Sequence, residues 1–235
     1  MSAVILRVAD PEGLAQFYRN VLGMQVLVEG DARRVGYPGR DADLLLIPGG
    51  GGYVQDRGQR YWKIGITLPN VDLAVAHLEG LGVPVSAPRQ FLDIGYMCHL
   101  NDPEGFGIEL LQHDFDGNRP EGAGDPAAPF ARACVGQITL RTGDIAAEDA
   151  VCHKLGMRLL SVQDVAHYGF DLHFYAFTDE TPPAADLWAV ENREWLWKRP
   201  YTTLEFQHIA DAQFSPVPDY MGIEIEGQEE PIFTV

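Results

Sequence analysis

Basic residues are scarce in this 235-residue chain: 17 Lys and Arg stand against 34 Asp and Glu, a formal net charge of −17 at pH 7. Nucleic acid and anionic membrane surfaces both repel such a protein, so neither is expected as a partner. Cysteine is nearly absent. Cys98, Cys134 and Cys152 are odd in number, unclustered and without a CxxC pair. That excludes a disulfide framework and a cysteine zinc knot, and it suits a reducing cytoplasm. No apolar run approaches the roughly 20 residues that span a bilayer. The first strand-like segment begins at Ala3, so no signal peptide is expected. The seven histidines contain no HExxH spacing of a zinc helix.

What the chain has instead is repetition. Ala3-Val4-Ile5-Leu6-Arg7-Val8-Ala9-Asp10, Lys63-Ile64-Gly65-Ile66-Thr67-Leu68-Pro69-Asn70 and Gln137-Ile138-Thr139-Leu140-Arg141-Thr142-Gly143-Asp144 align without gaps. A repeated segment of this length marks a supersecondary module that cannot bury its apolar face alone. After each strand the apolar pattern switches to helical period and ends at a glycine. Leu14, Phe17, Tyr18, Val21 and Leu22 precede Gly23; Leu73, Val75, Ala76, Leu78 and Leu81 precede Gly82; Ile145, Ala150, Val151 and Leu155 precede Gly156. Strand-like stretches follow and close on Leu44-Leu45-Leu46-Ile47, Gly107-Ile108-Glu109-Leu110-Leu111 and Tyr201-Thr202-Thr203-Leu204-Glu205-Phe206. Each unit therefore reads β-α-β-β-β, an α+β class.

These phrases, with the turn Asn101-Asp102-Pro103-Glu104-Gly105-Phe106-Gly107, resemble the vicinal oxygen chelate superfamily, which includes glyoxalase I, bleomycin-resistance proteins and extradiol dioxygenases. The third unit is most similar to the first module of glyoxalase I, through Gly169 to Phe177, Trp188 and Thr203 to His208. The resemblance implies modules that pair to form cupped mixed sheets, with a divalent metal in the cup. The composition of Gly49 to Gly52 and of the Gly- and Pro-rich stretch from Asp114 to Pro129 marks two connections. They predict an N-terminal domain, residues 1–115, with units 1–52 and 60–115 paired. A third unit, 130–235, follows, with Tyr220 to Ile225 resembling the opening strand of a truncated fourth module.

The resemblance places metal ligands at the start of each opening strand and in each closing strand. Unit one offers Ala3 and a position near Leu45, which cannot ligate. Unit two offers Lys63 and Glu109, and unit three Gln137 and Glu205. An ammonium has no lone pair to give, so Lys63 is read as a substrate contact or, with Glu109, as an ion pair in the cup or at exposed strand ends. Gln137 and Glu205 are read as ligands of Zn, Ni, Mn or Fe, or as polar groups in a wet, metal-free cup. A homodimer about a two-fold axis, with two copies of each, is the expected way to complete the site; packing unit three on unit two, which adds Glu109, is the other.

If a metal is bound, the resemblance implies a glyoxalase I-like lyase or isomerase acting on a small substrate with vicinal oxygens. The metal would stabilise an enolate-like charge while Glu205 moves the proton. Arg141 would hold a substrate carboxylate or form a strand-end salt bridge. Trp188, Trp195 and Trp197, between Pro183 and Pro200, predict a short helix or lid before the closing strand, with Trp188 a substrate contact. Ile209 stands where glyoxalase I places an asparagine, which counts against glutathione as cosubstrate. His99, His173 and His208 are read as structural or exposed, with the cup as the other place for His173. The alternative function is a metal-free protein, like bleomycin-resistance proteins, that binds a small molecule.

Overall fold

The computed structural model describes residues 1–234. Three β-α-β-β-β units follow one another. The first comprises β1 (Ala3–Val8), α1 (Pro11–Leu22), β2 (Gln25–Glu29), β3 (Ala32–Gly36) and β4 (Asp43–Pro48). The second comprises β5 (Tyr61–Leu68), α2 (Val71–Gly80), β6 (Arg89–Phe91), β7 (Gly95–Asn101) and β8 (Gly107–Gln112). The third comprises β9 (Cys134–Thr142), α3 (Ile145–Leu155), β10 (Arg158–Val165), β11 (Phe170–Ala176), α4 (Glu191–Trp197) and β12 (Thr203–His208), and β13 (Tyr220–Glu224) comes last.

Each long helix starts and stops on local chemistry. The side chains of Asp10, Asn70 and Asp144 accept the N–H groups of Gly13, Leu73 and Ala147, satisfying orphan donors of the first turn. Gly23 and Gly156 end α1 and α3 in the left-handed conformation. Alternate strand residues share a face. Val4 and Leu6, Ile64 and Ile66, and Ile138 and Leu140 turn to the helices and merge into a single apolar cluster with Tyr18, Leu78, Phe206 and Tyr220.

The strands form two sheets, ordered β13-β1-β4-β3-β2 and β10-β11-β12-β9-β5-β8-β7-β6. This corrects the expected pairing. Units two and three share the second sheet, joined by antiparallel pairing of β5 and β9, and unit one is paired instead with β13. Two glycines make the β5–β9 crossing possible. A Cβ on Gly65 would lie 2.2 Å from Gln137 Cγ, and one on Gly136 would lie 2.5 Å from Thr67 Cγ2. The matching position of β1 is Ile5, whose side chain would fill that gap.

Unit one is fastened to unit two from the helix side. The Glu104 carboxylate accepts the backbone N–H groups of Ala9 and Asp10 at 2.7 and 2.8 Å. Tyr18 Oη donates to buried Asp102 Oδ2 at 2.8 Å, and Asp102 Oδ1 accepts the N–H groups of Glu104 and Phe106. Burial raises the Asp102 carboxyl to about 6, against the lowering effect of these hydrogen bonds. The segment 114–129 is likewise tied down. Glu194 of α4 accepts from Phe115 N and Asn118 Nδ2, and Arg119 bonds to Asn70, Asp72 and Gln112. Among the described residues no helix is long and apolar enough to cross a membrane.

Candidate functional site

The second sheet curls around a cavity of about 760 Å³ whose floor is the join between units two and three. The pseudo-symmetry of the repeats puts equivalent residues there. Lys63 of β5 and Gln137 of β9 occupy the same place in the repeat. Glu109 pairs with Gly65 across β8–β5, and Glu205 pairs with Thr139 across β12–β9. All four side chains enter the cup, and each residue is 2–4% exposed. A single chain therefore brings together Lys63, Glu109, Gln137 and Glu205. The site closes without a second copy, and the reason for expecting a homodimer falls away with it.

The four groups form one connected network. Lys63 Nζ lies 2.9 Å from Glu109 Oε1 and 3.7 Å from Glu205 Oε2. Gln137 Nε2 donates to Glu109 Oε1 at 2.7 Å, and Thr139 Oγ1 donates to Glu205 Oε2 at 2.6 Å. His99 Nε2, reaching in from β7, lies 2.9 Å from Glu109 Oε2. The Trp62 ring lies 4.7 Å from Lys63 Nζ. Gln137 Oε1 is buried without a hydrogen-bond partner.

Burial opposes the charge on Lys63, but the two carboxylates outweigh it and raise its affinity for a proton. Burial would also raise Glu109, yet Lys63 and His99 hold it below the usual carboxylate range. Glu205 goes the other way. Burial raises it, repulsion from Glu109 adds to that, and the more distant Lys63 does not compensate. The floor is thus a tight ammonium–carboxylate pair beside a second carboxyl that resists ionisation.

That arrangement does not fit a divalent metal. Glu109, Gln137 and Glu205 are possible oxygen donors, but the fourth place in the ring belongs to an ammonium already bonded to one of them. A divalent ion here would sit against that cation, and its carboxylate ligands would have to give up their present partner. Among the described residues, the one group of three His, Cys, Asp or Glu side chains whose ligand atoms lie within 4.8 Å of one another is elsewhere, at Asp171, His173 and His208.

The walls are apolar. Ile94, Met97 and Leu111 come from unit two, Phe170, Leu172 and Phe174 from unit three, and Arg57 and Arg89 stand at the mouth. Helix α4 is the expected insertion, but Trp188 is not its contribution to the cup. Trp188 is 49% exposed, whereas Trp197 is buried, lines the cavity, meets Phe174 edge-on and donates from Nε1 to Ile94 O at 3.0 Å. Trp197 and His99 both line the cup, whereas the sequence offers Trp197 only as one of three tryptophans in a helix or lid and His99 only as structural or exposed. The period-two alternation of β7 could have placed His99 on the Glu109 face, but nothing local distinguishes Trp197 from its two neighbours in type.

Arg141 faces the cup two residues beyond Thr139, outside the main cavity. Its guanidinium packs on Trp62, 4.8 Å from the ring, and donates to Gln207 Oε1, Gln59 O and Asp56 O. Burial lowers it to about 10. It lines a second cavity, which shares Arg57, Trp62 and Phe170 with the first. His173 does not enter the cup, because Leu172 and Phe174 do and it alternates with them.

Comparison with known proteins follows the same outline. Residues 1–110 match the family model of the Glyoxalase/Bleomycin resistance protein/Dioxygenase superfamily. No curated protein matches the chain. The structure is similar to glyoxalase I from Zea mays, with a TM-score of 0.64 and 18% identity over 90% of this chain and 68% of that one. A point variant of that maize protein gives 0.65 and 19% over the same shares. TnmS3, an antibiotic binding protein from Streptomyces sp. CB03234, matches with a TM-score of 0.40 and 24% identity over 47% of this chain and 92% of its own. At these identities the likeness concerns the fold.

Proposed function

Since residues 1–110 belong to the Glyoxalase/Bleomycin resistance protein/Dioxygenase superfamily, we infer that the chain uses that fold's cup to bind a small organic molecule without a metal. The observation that carries this reading is Lys63. Its ammonium sits 2.9 Å from Glu109 and 3.7 Å from Glu205, where it supplies the positive charge a divalent ion would otherwise bring. The volume, the apolar walls and a few convergent polar groups are those of a small-molecule site. The ligand that fits is an aromatic or alicyclic body with one polar end. That end meets the polar floor of Lys63, Glu109, Gln137 and Glu205, and an acidic group elsewhere would meet Arg57 or Arg89.

The residues on the floor do not fit the ion that a metal-dependent isomerase step requires. One observation favours a second, metal-independent enzymatic reading on the same floor. Glu205 is held above the normal carboxylate range beside a fixed ammonium, a pairing suited to proton transfer with Lys63 steadying a developing oxyanion. In that reading the substrate is an α-hydroxycarbonyl compound. Glu205 in its ionised form takes the proton from the hydroxyl-bearing carbon, the hydroxyl proton passes to the oxyanion, and Glu205 returns its proton to the former carbonyl carbon as the new carbonyl forms.

The test is fluorescence titration with 8-anilinonaphthalene-1-sulfonate in excess EDTA. Saturable binding at one site per chain is expected, and it should be lost in Ala87→Trp, which blocks the mouth at an exposed position. Binding that appears only after nickel or zinc is added would overturn the metal-free reading. Binding unchanged in Ala87→Trp would show that the cup is not the site.

A further inference from the structure

On the sheet face opposite the cup, β11 and β12 bring together three side chains that neither the fold nor the cup accounts for. Asp171 and His208 are direct cross-strand partners, and His173 is two residues along β11 on the same face. His173 Nε2 lies 2.9 Å and His208 Nδ1 3.0 Å from the same oxygen, Asp171 Oδ1. One ligand atom from each of the three lies within 4.8 Å of the others. The rings cross at 79° with centroids 6.0 Å apart, so they converge on the carboxylate from two directions. The side chains are 13–29% exposed, covered enough to be held and open enough for an ion to enter.

We propose that Asp171, His173 and His208 bind a divalent transition metal such as Zn²⁺, Co²⁺ or Ni²⁺. Two imidazoles and one carboxylate on rigid strands are the donor set these ions prefer over Mg²⁺ or Ca²⁺. Bonds of about 2.0–2.1 Å in a tetrahedron put neighbouring ligand atoms about 3.3 Å apart. The present 2.9 and 3.0 Å separations need to open by only a few tenths of an ångström. Asp149 of α3 adds negative charge beside His173 and accepts from Tyr175 Oη at 2.9 Å. With three protein ligands, a fourth position stays open to water. The site is separate from the Lys63 floor, so metal found in the purified protein does not by itself speak for a metal in the cup.

Cobalt titration of EDTA-stripped, dialysed protein tests this, read by visible d–d absorption and checked by zinc calorimetry. One ion per chain is expected. His173→Ala and His208→Ala should each weaken binding by roughly 10–100-fold. Asp171→Asn, which keeps the shape and an acceptor oxygen, guards against loss of binding through misfolding and should weaken it as well. Glu205→Gln should leave it unchanged. Absence of binding to the wild-type chain, or binding indifferent to the Asp171 and histidine substitutions, would overturn the proposal.

Discussion

Replacing Lys63 by methionine removes the ammonium from the cup floor and leaves Glu109 and Glu205 facing each other. At an effective dielectric near 20, the attraction between unit charges at 2.9 Å is about 6 kcal/mol and at 3.7 Å about 4 kcal/mol. Most of that is offset by the cost of desolvating the ions. Removing one partner nevertheless leaves a buried charge uncompensated, a loss of about 3–5 kcal/mol. A chain of this size loses roughly 2–4 °C of melting temperature per kcal/mol, so a fall of about 10 °C is expected by calorimetry or circular dichroism. Glu109, no longer held low, will take up a proton on folding. Its folded pKa will then exceed its unfolded one, and the stabilisation from that proton is present at low pH and lost as pH rises. The deficit of Lys63→Met should therefore shrink between about pH 8 and pH 5. Adding Glu109→Gln should recover much of the loss, because it removes the orphaned charge. A melting temperature unmoved by Lys63→Met, or a double substitution that is simply additive, would refute the buried pair.

Three further outcomes are expected. Gly65→Ala puts a Cβ 2.2 Å from Gln137 Cγ, so it should displace that side chain, cost about 1–3 kcal/mol in urea denaturation and weaken dye binding in the cup. Trp197→Leu removes a buried ring and its bond to Ile94 O, which should cost about 3 kcal/mol and enlarge the cavity enough to change the dye's emission maximum. Asp102 is 5% exposed and raised from 3.8 to about 6, so its contribution to stability is full below about pH 4 and lost as pH rises through 6. Relative to Asp102→Asn, the wild-type chain should lose about 3 kcal/mol between pH 3 and pH 7, measurable by denaturation at a series of pH values.

The β-α-β-β-β order was legible because each unit writes it with local signals. The helix faces alternate at 3.6 residues, Asp10, Asn70 and Asp144 cap them, and Gly23 and Gly156 end them in the conformation that needs no Cβ. Which units share a sheet was harder to read, since β1, β5 and β9 carry nearly the same apolar alternation and any two could pair. The deciding signal was the absence of side chains at Gly65 and Gly136, whose meaning depends on the strand lying across them. The positions of Lys63, Glu109, Gln137 and Glu205 in the repeat were visible, but their convergence in one chain followed only once units two and three were joined. Trp197 is drawn in by Ile94 and Phe174, some hundred and some twenty residues away along the chain, contacts that no local pattern encodes.

Whether an ammonium holds the place of a metal at the cup floor is decided most directly by zinc or nickel calorimetry. The chain should carry His208→Ala, so that the outer cluster does not contribute, and be compared with and without Lys63→His. No stoichiometric binding is expected while Lys63 is present. One ion per chain is expected once an imidazole replaces the ammonium among Glu109, Gln137 and Glu205. An ion bound with Lys63 intact, and lost on Glu205→Gln, would contradict the metal-free floor.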